Sequence, residues 1–196
     1  MRRRRACGEP RAVSMNPPLV SALVSTFNSA RFIEGCLADL EAQTIAGRLE
    51  IVVVDSASEE GEGAIVRRWQ ERFANIRYVR TESRESVYAA WNRAIRMARG
   101  AYLTSANTDD RHRADALERM SRVLELRPEV ALVYADVVET ETENETFERC
   151  TPTRVRRWHD WARDTLLTRG CFVGPQPMWR RSVHAEHGLF DERLFS

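Results

Sequence analysis

At 196 residues the chain can bury one substantial core, and 43% hydrophobic with 30% charged residues describes an ordinary globular protein. A net charge of +1 excludes the basic excess of a general nucleic-acid binder, so no nucleic-acid partner is expected. All 30 basic residues are arginine, which a GC-rich coding sequence explains more simply than any function. The chain opens with MRRRR, but no apolar stretch follows, so residues 1–16 read as a disordered basic lead, with Met15 an alternative start.

Leu19 to Ser25, fenced by Pro17 and Pro18, predicts a buried strand. Phe32, Ile33, Cys36, Leu37 and Leu40 recur at helical spacing, with Asn28 or Ser29 available as N-cap. Leu49 to Val54 is a nearly continuous apolar strand, as expected where both faces are covered. Ile65, Val66, Trp69 and Phe73 mark a helix, and Ile76 to Val79 a short third strand. Val87 to Ala98 carries an apolar stripe that Gly100 ends, and Ala101 to Ala106 is a fourth strand. Asp115 to Leu126 is a helix stopped before Pro128, and Val130 to Tyr134 a fifth strand. Such alternation implies a largely parallel sheet with helices on both faces. After Asp136 the pattern breaks: Glu139 to Glu148 reads as an exposed hairpin or loop. Trp158, Trp161, Leu166 and Leu167 then read as an amphipathic segment before "CFVGPQPMWRRSV". No linker interrupts 17–196, which reads as one domain.

The four cysteines, Cys7, Cys36, Cys150 and Cys171, form no C-x-x-C pair, so reduced thiols in a cytosol are expected rather than zinc or disulfides. No apolar run approaches the roughly 20 residues of a membrane span.

In open α/β sheets ligands bind beyond the carboxyl ends of the strands. Here those ends are polar: Thr26-Phe27-Asn28, Asp55-Ser56, Thr81-Glu82-Ser83 and Asn107-Thr108-Asp109-Asp110. No G-x-G-x-x-G follows the first strand, no phosphate-binding loop is possible without lysine, and no G-x-S-x-G elbow occurs. A nucleotide site in this chain would hold its phosphates through a metal rather than a glycine cradle.

"LVSALVSTFNSARFIEGCLADLEAQT", "LEIVVVDSAS", "SVYAAWNRAIRMARGAYL", "NTDDRHRADALE" and "MWRRSVHAEHGLFDERLF" occur in the order and spacing of family 2 glycosyltransferases, over about residues 17–196. The resemblance implies a GT-A fold, a Rossmann-like, mostly parallel sheet flanked by helices, with a nucleotide-sugar half (17–136) and the start of an acceptor half (137–196). It implies inverting transfer from a nucleotide-sugar donor to an acceptor hydroxyl, a glycan or lipid-linked acceptor, and Mg²⁺ or Mn²⁺ as cofactor. Thr26 and Asn28 resemble the pocket-lining motif of the first strand, and Asp55 the carboxylate that contacts the base. Asn92 and Arg93 stand where the family's helix faces the donor diphosphate. Asn107-Thr108-Asp109 occupies the D-x-D position, followed by Asp110; with an amide at Asn107, charge toward the metal falls on Asp109, helped by Asp110. The family's general base follows a segment resembling "GLFDERLFS", so it is expected beyond Ser196, in a longer enzyme of which this chain is the N-terminal, C-terminally truncated part. A cytoplasmic enzyme is expected, with peripheral association at the inner membrane face an option.

Plainer roles stand beside these. Asp109 and Asp110 also suit the start of the following helix, worth roughly 0.3–1 kcal/mol each; Asp55 suits a strand-end turn and Arg93 a solvated helix face. His184 and His187, three apart, read as surface or capping residues, and Trp158, Trp161 and Trp179 as core. Arg154, Arg156 and Arg157 read as a solvated face, or less simply as a patch for an anionic lipid-linked acceptor. From another functional class, a non-catalytic nucleotide-sugar or glycan-binding module would show the same motifs.

Overall fold

The computed structural model describes residues 17–164, 168 and 173–194. The basic lead 1–16, Leu166, Leu167 and Cys171 lie outside the described residues. Strands β1 (Val20–Thr26), β2 (Leu49–Asp55), β3 (Ile76–Arg80) and β4 (Tyr102–Ser105) alternate with helices α1 (Ala30–Glu41), α2 (Glu62–Gln70) and α3 (Val87–Met97). Helix α4 (Ala116–Leu126) and strands β5 (Leu132–Val133), β6 (Val137–Thr140), β7 (Pro152–Arg156) and β8 (Met178–Arg180) follow, then α5 (Val183–His187). The main sheet runs β3-β2-β1-β4-β8-β5. Strands β1 to β4 are parallel, with Val20 opposite Leu49 on one side and Tyr102 on the other. Order reverses between β1 and β4, which fixes the crevice between their carboxyl ends.

Alternate residues of each strand feed two apolar layers. Val20, Ala22, Val24, Ile51 and Val53 pack with Ile33, Leu37 and Leu40 of α1, Val66 of α2 and Leu117 and Leu124 of α4. Leu23, Val52, Val54 and Leu103 pack on the opposite face with Ala90, Ala94 and Ile95 of α3. Glu50, in β2, is 1% exposed. Its carboxylate accepts hydrogen bonds from Ser21 Oγ (2.5 Å), Arg99 Nε (2.9 Å), Gly100 N (3.2 Å) and Arg99 N. Burial pushes this carboxyl up, and the bonds from Ser21 and Arg99 together bring it below its ordinary value.

Three expectations are corrected, and the N-cap expected at Asn28 or Ser29 is Ser29. Gly100 is not the cap of α3, which ends at Met97; glycine is needed because a Cβ would stand 2.6 Å from Ser21 N. Ser29 is the N-cap of α1, but its hydroxyl makes no capping bond because it points to neighbouring strand ends. The fifth strand shrinks to two residues and does not pair with β4. β8 lies between them, antiparallel to both, because Met178 and Trp179 are buried and fill the space beside Leu103. The hairpin is larger than Glu139–Glu148: Glu139 and Thr140 pair within β6, and the rest of that stretch lies in the connection to β7.

Of the tryptophans, Trp179 is core, Trp158 is half-buried and Trp161 is 63% exposed. The Trp179 indole donates to His184 Nε2 at 2.9 Å, so the His184 proton sits on Nδ1, 3.0 Å from the Gly188 carbonyl. His184 is thereby a packing residue, and His187 is exposed. Among the described residues no helix is long and apolar enough to cross a membrane.

Candidate active site

Residues at the carboxyl ends of β1, β2 and β4, with the β3–α3 loop, enclose a crevice of about 570 Å³. Thr26, Phe27 and Ser29 come from the first, Ser56 from the second, and Asn107, Thr108 and Asp109 from the fourth; Arg84, Glu85 and Ser86 close the far side. Thr26 and Ser29 share a hydrogen bond of 2.7 Å, and Thr108 Oγ1 donates to Ser29 Oγ at 3.2 Å. The backbone N–H of Ser29 donates to buried Glu62 at 2.6 Å, which ties the start of α1 to α2. The start of α3 also borders the crevice, with Ser86 Oγ accepting from Ala89 N, so the positive end of an 11-residue helix faces this space.

Asn28 adopts φ 49°, a left-handed conformation that asparagine tolerates. Its amide oxygen accepts from Glu59 N (2.8 Å) and its N–H donates to Ser58 Oγ (3.2 Å), so it locks the β1 turn to the β2 turn and does not line the crevice. Ala57 also sits at φ 58°, where a side chain other than glycine costs about 1–2 kcal/mol.

Asp55 has no exposed surface. Its carboxylate accepts from Ser58 N (2.8 Å), Tyr78 OH (2.6 Å) and Arg80 Nη1 (3.3 Å). In this arrangement Asp55 shapes the β2 turn from beneath and does not line the crevice. Burial, with the Asp55 hydrogen bond and charge, pushes the Tyr78 hydroxyl up to about 12, so it remains a donor. Asn92 is also buried, and its amide clasps residue 190: Phe190 N donates to Oδ1 at 3.0 Å, while Nδ2 donates to Phe190 O (2.8 Å) and Glu192 Oε1 (2.9 Å). Arg93 pairs through two nitrogens with Glu85. Neither Asn92 nor Arg93 lines the crevice; Arg93 acts there through Glu85.

Asn107, Asp109 and Asp110 part company after β4. Asn107 Nδ2 donates to Asp110 Oδ2 at 2.9 Å, closing a local turn. Burial raises the Asp110 carboxyl, the Asn107 bond lowers it, and the Asp109 charge raises it further, for a net upward shift. Asp109 is exposed, and among the described residues no hydrogen bond or ion pair holds its side chain. A second cleft, of about 830 Å³ and walled by the β6–β7 hairpin, begins on its other side; Phe32 and Asp109 line both spaces.

Sequence reasoning passed over three features. Arg84 extends its guanidinium over the Phe27 ring, 4.2 Å from the centroid, and is the one cation among the described residues lining the first crevice. Glu85 lines the same wall. His112 lines the second cleft, 5% exposed, with both ring nitrogens unpartnered. Burial pushes its imidazole down to about 4, Asp39 opposes this and Arg111 adds to it, so the ring is neutral at pH 7. The phrase "TESRES" held the signal for Arg84, one residue past the strand end as read; nothing in "DDRHR" distinguishes a buried histidine from an exposed one.

Asp109 and Asp110 suit a hard divalent ion that keeps substrate phosphates and water in its shell, since such an ion takes only one or two carboxylates. Among the described residues no group of three or more His, Cys, Asp or Glu forms an all-protein cage. Such a pair could share a divalent ion with a phosphate-bearing ligand.

Comparison with known proteins agrees with the fold. An uncharacterized protein of Sinorhizobium fredii is 30% identical over 154 residues, 77% of this chain and 16% of that protein. A PGL/p-HBAD biosynthesis glycosyltransferase of Mycobacterium bovis is 29% identical over 125 residues, 63% of this chain and 48% of the relative. The mannosyltransferase PcManGT of Pyrobaculum calidifontis, solved with GDP-Man and Mn²⁺, superposes with a TM-score of 0.66 at 22% identity, covering 97% of this chain and 52% of that one. Residues 1–349 of S. aureus TarS with UDP give 0.67 at 19% identity, covering 90% and 51%. The chain thus spans about half the length of these relatives or less, and it shares the GT-A fold of the solved ones. Residues 21–187 match the family described as Glycosyl transferase family 2, and the chain belongs to that family.

Proposed function

We propose that this chain carries the donor site of a glycosyltransferase, which moves a sugar from a nucleotide-sugar to an acceptor hydroxyl with the aid of Mg²⁺ or Mn²⁺. The observation that carries the reading is the Asp109 carboxylate, unpaired among the described residues and standing where two clefts meet at the carboxyl end of β4. Mn²⁺ with GDP-Man in one structural relative, and UDP-GlcNAc in another, support a nucleotide-sugar ligand for the first crevice.

Asp109 would hold the cation, with Asp110 beside it and Asn107 keeping Asp110 turned inward. Such an ion would supply charge neutralisation for a diphosphate leaving group. The Thr26, Ser29 and Thr108 hydroxyls and Ser56 offer hydrogen bonds to the nucleoside, and Phe27 offers an aromatic face to its base. Arg84 and the start of α3 place positive charge near the phosphates. Asn28 and Asp55 brace the two turns that shape this pocket; Asn92 holds the 190–192 segment, and Arg93 holds Glu85. An acceptor hydroxyl would attack the anomeric carbon, with inversion, as the bond to the diphosphate breaks, and its proton would pass to a general base that none of the described residues is assigned. Asp191 is engaged with Arg193 and Glu192 with Asn92, so neither is assigned the proton transfer.

A thermal-shift panel of UDP, GDP, dTDP and CDP sugars, with and without Mn²⁺, tests the reading. It expects stabilisation by one base class that grows with the ion; no shift from any of them rejects it.

A further inference from the structure

The first crevice contains an aromatic face that is covered. The Arg84 guanidinium lies over the Phe27 ring, 4.2 Å from its centroid, and both residues line this space. A nucleobase inserted between two flat groups needs them about 7 Å apart, twice the spacing of carbon atoms in contact. At 4.2 Å nothing enters between them, so a base reaches the covered face of Phe27 only once Arg84 has left it.

Among the described residues Arg84 has no hydrogen bond and no ion pair, and its one directed contact is that ring. The neighbouring Glu85 carboxylate is already engaged by Arg93 through two nitrogens. The backbone on either side is pinned. Thr81 N donates to Asp55 O at 2.9 Å, Glu85 N donates to Ser56 Oγ at 2.5 Å, that hydroxyl donates back to Glu85 O at 3.2 Å, and Ser86 caps α3. The loop is therefore fixed, while the exposed Arg84 side chain can turn about its own bonds. A cation–π contact at an exposed site is weak, worth about two- to fivefold in an equilibrium. A guanidinium paired with a phosphate makes two charge-assisted bonds, each roughly twice as strong as a neutral one.

We propose that Arg84 is a specificity residue: it guards Phe27 and gives up the ring only for a phosphate, so the crevice takes a nucleoside diphosphate and turns away the bare nucleoside. A nucleoside must displace the guanidinium and offers it no anion in return. A diphosphate draws the same planar fork off the ring, and the base then stacks where Arg84 lay. No other cation lines the crevice among the described residues, so no other lining side chain there can make this exchange. The inference rests on the donor-site reading of this crevice. It goes beyond that reading in giving one side chain opposite effects on two halves of the same ligand.

The test is a titration, followed by ligand-observed NMR with Mg²⁺ present, of uridine, guanosine, thymidine and cytidine and of their diphosphates. Arg84→Ala should weaken the diphosphate that binds the parent by about tenfold or more, and should tighten its nucleoside by about threefold. In Phe27→Leu, which removes the aromatic face, adding Arg84→Ala should leave the nucleoside's affinity unchanged, because no ring is uncovered. A nucleoside that binds Arg84→Ala no more tightly than the parent overturns the inference, as does one that binds neither. The same gain in the Phe27→Leu background also overturns it. If a diphosphate binds the parent alongside any of those results, the donor site stands without the guard. If no diphosphate binds the parent, the donor-site reading fails and the inference fails with it.

Discussion

The two clefts share Asp109 but are built in opposite ways. Around the first, nearly every polar group below the surface is engaged within the protein: Asp55 with Ser58, Tyr78 and Arg80, Asn28 with residues 58 and 59, Ser29 with Glu62. Around the second, buried donors and acceptors lack partners, and the wall is a two-stranded hairpin rather than the main sheet. A site for a shared ligand chemistry, a nucleoside diphosphate, can be braced in advance by strand ends. The side walled by the hairpin keeps buried polar atoms that no described residue pairs.

The largest expected effect is on the bracing of the first cleft. Asp55→Ala removes a buried carboxylate and strands Tyr78 and the turn at Ser58, so it should cost roughly 3–5 kcal/mol in urea unfolding. A loss below about 1 kcal/mol would mean the turn holds itself without Asp55.

Next comes the buried ring on the other side. The unfolded His112 ring takes a proton near pH 6.5 and the buried one only at about 4. The unfolded state therefore binds more protons between these values, and stability declines as pH falls through that window, by about 3 kcal/mol. Asp110, raised chiefly by burial, acts in the opposite sense in the carboxylate range, so the measure is the difference between the parent and His112→Phe. That difference should shrink toward pH 4; parallel pH profiles would mean the ring titrates normally.

Arg84→Ala should weaken nucleoside diphosphate binding by about 1.5–3 kcal/mol, the range for a hydrogen bond to a charged group. It should leave unfolding within about 0.5 kcal/mol, since the side chain is exposed. Equal losses for the nucleoside and its diphosphate, measured by calorimetry, would place Arg84 on the base instead.

The smallest effect is at the hairpin tip. Asn144 sits at φ 61°, and its Nδ2 donates to Arg31 O at 3.1 Å. Asn144→Ala should cost about 1–2 kcal/mol through both losses. No change in thermal unfolding would show that the tip is held by Arg111 and the Arg31–Glu143 pair alone.

The sheet through β4 was legible because its strands are continuous apolar runs and its helices carry stripes at helical spacing. β8 was not, because three residues between Pro177 and Arg181 show no period. Thr26, Asn107 and Asp109 were expected at the strand ends and do line the first crevice. The states of Asp55 and Asn92 were hidden, since their partners are remote: Tyr78 lies 23 residues from Asp55, and Phe190 lies 98 from Asn92. Sequence position put these side chains near the crevice, while hydrogen bonds formed only in the folded chain turned them to bracing. Arg84 and His112 were missed for a related reason, because exposure and burial in a polar stretch leave no periodic trace.

The account depends most on Asp109 as the residue that joins a divalent ion to a nucleotide ligand. Calorimetric titration of the parent and Asp109→Ala with UDP and GDP, each with and without Mn²⁺, measures this directly. The parent should bind one nucleotide more tightly with the ion by at least about tenfold, or about 1.4 kcal/mol. The variant should fold normally and lose that increment. Nucleotide affinity that ignores Mn²⁺ in the parent, or that survives with its Mn²⁺ dependence in Asp109→Ala, would contradict the account.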